Sequence, residues 1–310
     1  MKELSLFTIE SPYRQPLAVK AWQFGDPGKR SLAVVGALRG NEIQQMFICA
    51  RLVQTLKKLE ADGLLSPECG ILVVPCANRF SMNVGSRFWA ADHTDINRMF
   101  PGYNLGETTQ RIADRLFHSL QGYEYGIHLA SFYLPGDYAP HVRVMHTGFE
   151  DLDSARDFAL PHIILRDPQP YDTTTLNYNW QIWSTQAVSL YSSETDHIDS
   201  LSAGAVLDAI LRFLHRKGLS LYDVPDPGSV SSVVVEKEMK TVHSSFGGLF
   251  FRKASPGDSV AFGAPLAEIL DPCTCEAEEQ LLAPCSGRIF FAHKEGLIAG
   301  HEIAFRIIEE

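Results

Sequence analysis

The stretch VVGALRGNEIQQM, Val34 to Met46, decides the fold. It begins inside the apolar, β-branched run Ser31–Leu38, which reads as a buried strand. It turns through Arg39-Gly40-Asn41-Glu42 and becomes a helix. Asn41 can cap that helix, and Ile43, Met46, Phe47, Ala50, Val53 and Leu56 follow at helical spacing. A second apolar run, ILVVPCAN (71–78), completes a strand–helix–strand unit whose two strands should be parallel. The turn has the shape of a metal-binding turn, yet Arg39 stands where a ligand would. Guanidinium has no free lone pair, so Arg39 cannot bind a metal ion.

The pattern repeats outward from there. GETTQRIADRLFHSLQG (106–122) is a helix, YGIHLASF (125–132) a strand, HIILR (162–166) another and TQAVSLYSS (185–193) a third. SAGAVLDAILRFLHRKG (202–218) is a helix with Leu207, Ile210, Leu211 and Leu214 on one face and Gly218 as its stop. Residues 1–222 therefore form one α/β domain, a mostly parallel sheet with helices on both faces. LYDVPDPGSVSS (221–232) is a Pro/Gly/Ser linker. Residues 223–310 are β-rich, and GGLFFRKASPGDSVAFGAPLAEILD (247–271) and LLAPCSGRIFFAHKEGLIAGHEIAFRI (281–307) are two versions of one pattern. Short strands in an internal repeat mark a small barrel or sandwich.

The bulk properties exclude several classes. With 310 residues, the chain can bury one large core and add a smaller domain. Apolar residues make up 45% and charged residues 21%, as in a globular protein. The net charge is −10 and there is no basic stripe, which argues against nucleic acid as a partner. No run reaches the length of a membrane span, and the start, Met1–Gln15, lacks the apolar core of a signal peptide. Of the six cysteines, Cys49 and Cys76 lie in apolar runs, while Cys273 and Cys275 form a C-x-C with no second pair to complete a zinc ribbon. This usage points to the cytosol. Self-association stays open.

In an open α/β sheet the ligand sits at the carboxyl ends of the strands. Arg39 and Glu42 follow the first strand, Asn78 and Arg79 the second, and His128 lies in the third. The loop GSRFWAADHTDINRMFPG (85–102) adds Arg87, His93, Asp95, Asn97 and Arg98. Arginines held together suit a small carboxylate, because guanidinium binds it through paired hydrogen bonds.

The order of these pieces resembles the succinylglutamate desuccinylase/aspartoacylase family, a branch of the zinc carboxypeptidase-like fold. The motif residues are Arg39-Gly40-Asn41-Glu42, Asn78-Arg79, Arg87, Asp95-Ile96-Asn97-Arg98-Met99-Phe100-Pro101-Gly102 and Gly126-Ile127-His128. The resemblance spans essentially the whole chain and includes the C-terminal barrel-sandwich-like domain. It implies a deacylase-like metallohydrolase that cleaves the linear amide bond of N-acyl amino acids or related small amides. One zinc ion would be the cofactor, with Glu42 and His128 as remaining ligands. The metal would lower the pKa of its bound water, and a carboxylate would act as general base. Arg87, Asn97 and Arg98 would bind the substrate carboxylate.

Three positions depart from the family pattern. Arg39 replaces the first His ligand. Gly126 stands two before His128, where an Asp is common. Tyr191 falls at the place of the catalytic Glu, which leaves Glu194, three residues on, as the general-base candidate with Tyr191 lining the site. His93, Asp95 and His141 are candidate replacement ligands. Arg39 can instead pair with Glu42 across one helical turn and offset its buried charge. That alternative is a catalytically inactive member that binds a small carboxylate without metal. A carrier role, prompted by Met239-Lys240, would need a lysine at a hairpin tip, and DPCTCEAEEQ (271–280) has none.

Overall fold

The structure is a computed structural model, and it describes residues 1–10, 15–228 and 230–310. The start segment Met1–Gln15 and the linker Leu221–Ser232 thus each include positions outside the described residues. The chain divides into two compact units, residues 1–131 with 140–233, and residues 132–139 with 234–310. The main division falls between Val233 and Val234, beyond the sequence boundary between Tyr222 and Asp223, and Phe132–Ala139 goes to the second unit.

In chain order the elements are β1 (Lys2–Ile9), β2 (Leu17–Gly25), β3 (Leu32–Val35), α1 (Ile43–Ala61), β4 (Gly70–Val74), α2 (Arg79–Met82) and α3 (Thr108–Leu120). Then come β5 (Tyr125–Ala130), β6 (Gly136–Tyr138), β7 (His141–Met145), α4 (Leu152–Arg156), β8 (His162–Arg166), α5 (Leu176–Ile182), β9 (Gln186–Tyr191), α6 (Ser200–Arg216) and β10 (Ser232–Val235). One sheet runs in the order β1-β2-β4-β3-β5-β9-β7-β8-β10. Its centre is parallel, β4 to β3 to β5 to β9. The strand–helix–strand unit read from the sequence is present. The β1–β2 hairpin, joined antiparallel to β4, extends one edge and has no counterpart in the sequence reading. β7 runs antiparallel to β9 and parallel to β8.

A core lies on each face of this sheet. Val34, Ile127, Leu129, Val142, Val144, Val188 and Leu190 point to the face covered by α1 and α6. Ala33, Val35, Ala187 and Trp180 belong to the opposite core, with Ile112, Leu116 and Phe117 of α3. The odd–even alternation of strand side chains makes the two sets complementary. Helix α1 buries a different stripe from the one its apolar spacing implies. Gln44 and Gln45 are buried with Ile48, Cys49, Leu52, Leu56 and Leu59, while Met46, Phe47 and Val53 are half-buried and Ala50 is exposed. Hydrogen bonds turn the helix this way: Gln44 Nε2 donates to the Asp199 carbonyl and to Ser202 Oγ, and Gln45 Nε2 to the carbonyls of Ala130 and Glu194. Asn41 does not cap α1. Glu42 holds the cap position, and its carboxylate is drawn to Arg39 instead of its own helix.

The second unit continues with β11 (Lys240–His243), β12 (Gly248–Arg252), β13 (Ser259–Val260), β14 (Pro265–Leu270), β15 (Ala277–Leu282), β16 (Gly287–His293), β17 (Leu297–Ile298) and β18 (Ile303–Glu309). The two sequence repeats map onto β12–β13–β14 and β16–β17–β18. Within each repeat the first and third strands pair antiparallel. The short middle strands are exchanged, β13 pairing with β16 and β17 with β12. Leu266, Ala267, Ile269, Ile289, Ala304, Phe305 and Ile307 fill the core between the two sheets they make. β6 adds to β16, so an excursion of the chain between β5 and β7 completes this unit.

Candidate functional site

Arg39 leaves the end of β3 and enters the turn before α1. Gly40 makes the turn possible, since a Cβ there would lie 2.3 Å from both Ser81 C and Ser86 O. The same approach lets Gly40 N donate to the carbonyl of Arg87 at 3.3 Å. The Arg39 side chain is 5% exposed and sits between two carboxylates. Its Nη2 lies 2.9 Å from Asp95 Oδ2 and its Nε 3.0 Å from the same oxygen, while Nη1 donates to Glu42 Oε1 at 3.2 Å. Burial alone would lower the Arg39 pKa. The charges of Asp95 and Glu42 outweigh it and raise the pKa, so the guanidinium stays charged.

Glu42 accepts two further hydrogen bonds from the chain. Its Oε2 accepts from Arg39 N at 3.0 Å, and its Oε1 accepts from Ser131 Oγ at 2.6 Å. Asp95 Oδ1 accepts from Asn97 N at 2.9 Å, which fixes the loop that carries it. Three carboxylate-facing donors thus stand where a metal would need lone pairs. His128 is the other ligand candidate here. It is 1% exposed, and its Nε2 has no hydrogen-bond partner. Its pKa is pushed down to about 3, first by burial and then by the charge of Arg39, against a smaller pull from Asp95. A zinc site takes three or four protein ligands. Glu42, which already accepts three hydrogen bonds from Arg39 and Ser131, and a single histidine do not fit that ion.

Strand register sets the rest of the site. Across the sheet His128 stands opposite Ser189, and Ser189 opposite Arg143. One step along, Ala130 stands opposite Tyr191 and Tyr191 opposite His141. Directly paired residues share a face, so His128, Arg143, Tyr191 and His141 all point to the side that α5 covers. His141 and Tyr191 stack with ring centroids 4.8 Å apart and planes at 4°. Arg143 lies over the Tyr191 ring at 4.5 Å and donates to Tyr191 Oη at 2.9 Å. Where the sequence reading puts the general-base carboxylate, the structure has a phenol bound to a guanidinium.

Gly126, the second departure, has a packing reason. A Cβ there would lie 2.8 Å from Trp180 Cε3 and 3.0 Å from Thr185 Cγ2. The indole of α5 occupies the space an Asp side chain would need.

The other sequence candidates are scattered. Glu194 sits on the loop after β9, where its carboxylate joins Asp196 and His197, their ligating atoms within 4.8 Å of one another. Asn97 is buried, and its Oδ1 accepts from Leu176 N at 3.0 Å, which pins the start of α5. Arg98 pairs with Asp172 at 3.5 Å and donates to the Tyr171 carbonyl. Arg87 brings its backbone to Gly40. His93 is exposed at positive φ. Arg143, Ser131, Trp180 and Asn177 carry no sequence motif, and only the sheet register and the packing of α5 bring them here.

The family profile of the succinylglutamate desuccinylase/aspartoacylase catalytic domain matches residues 28–183. No curated protein sequence matches the chain. Among solved structures, the chain is similar to the product-bound ectoine utilization protein EutE (DoeB) from Ruegeria pomeroyi, at 18% identity and TM-score 0.79, over 95% of this chain and 90% of that one. A succinylglutamate desuccinylase from Silicibacter sp. aligns with the same identity, TM-score and coverage. A succinylglutamate desuccinylase/aspartoacylase family protein from Shewanella amazonensis aligns at 16% identity and TM-score 0.77, over 99% and 98% of the two chains. The similarity to these structures shows the shared fold, and the profile, which spans half of the chain, shows that the chain belongs to the succinylglutamate desuccinylase/aspartoacylase family.

Proposed function

We propose that this chain is a metal-independent member of a family of zinc-dependent deacylases, and that it binds a small N-acyl amino acid or related carboxylate without hydrolysing it. The observation that carries this reading is the Arg39 guanidinium held between Glu42 and Asp95. An internal cation there takes over the charge balance that a metal would provide, and it uses up the carboxylate that would ligate one. Tyr191 in place of a carboxylate removes the group that would take a proton from water.

Charge supports an anionic ligand. Arg143 stands in the same row of the sheet as His128, two strands away and on the same face, and its guanidinium suits a small carboxylate. Arg87, whose backbone meets Gly40, is the second candidate to receive it.

Two measurements on one preparation test the reading. Elemental analysis after zinc addition and desalting is expected to find no bound zinc, and calorimetry is expected to find N-acyl amino acid binding unchanged by a chelator. A stoichiometric zinc ion together with release of free amino acid would overturn it.

A further inference from the structure

Asn177 is 1% exposed, and neither its Oδ1 nor its Nδ2 has a hydrogen-bond partner. Buried polar groups are almost always paired, so a wholly unpaired amide calls for an explanation. It is the second residue of α5, and its place relative to the sheet follows from three anchors. Trp180, three residues on, lies over Gly126 of β5. Gln181 donates to the carbonyl of Met145, near the far end of β7, at 3.1 Å. Leu176 N donates to Asn97 Oδ1 at 3.0 Å, so α5 begins beside the loop that carries the Arg39 partner Asp95.

α5 therefore runs opposite to β5 and β9. Going back from Trp180 to Asn177 climbs the helix by about 4.5 Å. Going from Gly126 to His128 climbs β5 in the same direction by about 6.6 Å on the same face. The two steps bring Asn177 level with the row His128–Ser189–Arg143. Trp180 and Gln181 meet β5 and β7, and Asn177, three and four residues before them, is buried on the same side of the helix, so its turn faces that row. The unpartnered His128 Nε2 stands in the same row.

These atoms form a pattern. The Asn177 edge offers one donor and one acceptor side by side. A carboxylate would satisfy the donor and confront the acceptor with a second negative oxygen. A primary amide end, –C(=O)NH2, satisfies both: its oxygen accepts from Nδ2 and its syn N–H donates to Oδ1. Its second N–H is then free to donate to His128 Nε2. Building on the reading that this site takes a small carboxylate, we propose that the ligand also carries a primary amide group, carboxamide or ureido, and that Asn177 with His128 recognises it. Asn177 is then a specificity-determining residue and α5 the element that presents it.

The test uses matched pairs on the intact chain. N-carbamoyl and N-acetyl derivatives of one set of L-amino acids differ only in NH2 against CH3, so shape and carboxylate are shared. Isothermal titration should show at least one amino acid whose N-carbamoyl form binds about tenfold or more tightly than its N-acetyl form, the effect of one or two added buried hydrogen bonds. Asn177→Leu should cut that preference and weaken the N-acetyl forms less, since they lose only the hydrogen bond to their carbonyl, and His128→Phe should shrink the preference too. Asn177→Asp, which keeps the acceptor and removes the donor, should retain the preference for NH2 while weakening both series, and it is the variant to use if the leucine variant fails to fold. Binding in which every N-acetyl form equals or exceeds its N-carbamoyl partner would overturn the proposal and leave the carboxylate reading standing. Absence of binding by both series would overturn the two together.

Discussion

Two groups of buried polar atoms in this site stand in opposite states. Around Arg39 the positive charge meets two carboxylates, Glu42 accepts three hydrogen bonds and Asp95 is tied to its own loop. Around His128 and Asn177, three ring and amide atoms are buried without a partner. The first group is complete within the chain, and the second is complete only with something else. Arg39 follows β3, and His128 lies on the neighbouring β5. On the proposed reading, protein atoms close the position a metal would take, while the position beside it keeps unspent hydrogen-bonding capacity.

The largest test of that contrast is Arg39→Met. It leaves two buried carboxylates without their cation, and breaking a buried pair in this way costs about 3–5 kcal/mol. Urea unfolding should show a loss of that order, and a loss near zero would break the contrast at its closed end. Arg39→His sharpens the same point from the other side. It supplies a third lone-pair donor beside Glu42 and His128, and should raise zinc content from none to about one ion per chain by elemental analysis.

Gly126→Ala comes next. Its methyl meets Trp180, and overpacking of this kind costs about 1–3 kcal/mol in chemical denaturation. His128 predicts a pH effect. Its pKa lies near 3 in the fold against 6.5 in an open chain. Between those values the unfolded chain binds more protons, so stability falls as the pH drops below 6.5, at no more than about 1.4 kcal/mol per pH unit from this group. His128→Gln should flatten that part of the stability profile, and an unchanged slope would mean the imidazole is not kept neutral. The smallest effect belongs to Asn177→Leu. Replacing an unpaired buried amide by an apolar side chain of similar size should leave stability level or raise it, whereas a paired amide would lose about 1–3 kcal/mol. Thermal unfolding in the absence of ligand distinguishes the two.

The sequence carried the central sheet well. β3, β4, β5, β8 and β9 lie in apolar, β-branched runs, because strands buried on both faces have to be continuous in that way. β1 and β2 were missed because β1 is an edge strand with exposed Lys2, Glu3 and Ser5, and the buried positions of β2 alternate with Lys20 and other more exposed residues. The face of α1 was misread because Gln44 and Gln45 are buried for their hydrogen bonds, which hydrophobic periodicity cannot register. At the site, Arg39 with Glu42 was legible from spacing along one turn. Asp95, 56 residues from Arg39, was visible as a loop residue but not as its partner. Arg143 and Asn177 had no local signature at all. Their roles come from register and helix direction, which are properties of the assembled sheet.

The placement of β6 has a practical consequence for anyone cutting this chain. The second unit draws on two separate segments, 132–139 and 234–310, and β6 supplies a neighbour to β16 through Phe291, Ala292 and His293. A truncation that starts at Val234 would express that unit with part of its β16 edge bare, and a bare edge is a template for pairing with other chains. During synthesis the same strand leaves the ribosome long before its partner and has to wait, unpaired, for β16 to emerge. A fragment meant to stand alone would therefore need β6 grafted back, for example by a linker to the end of β18.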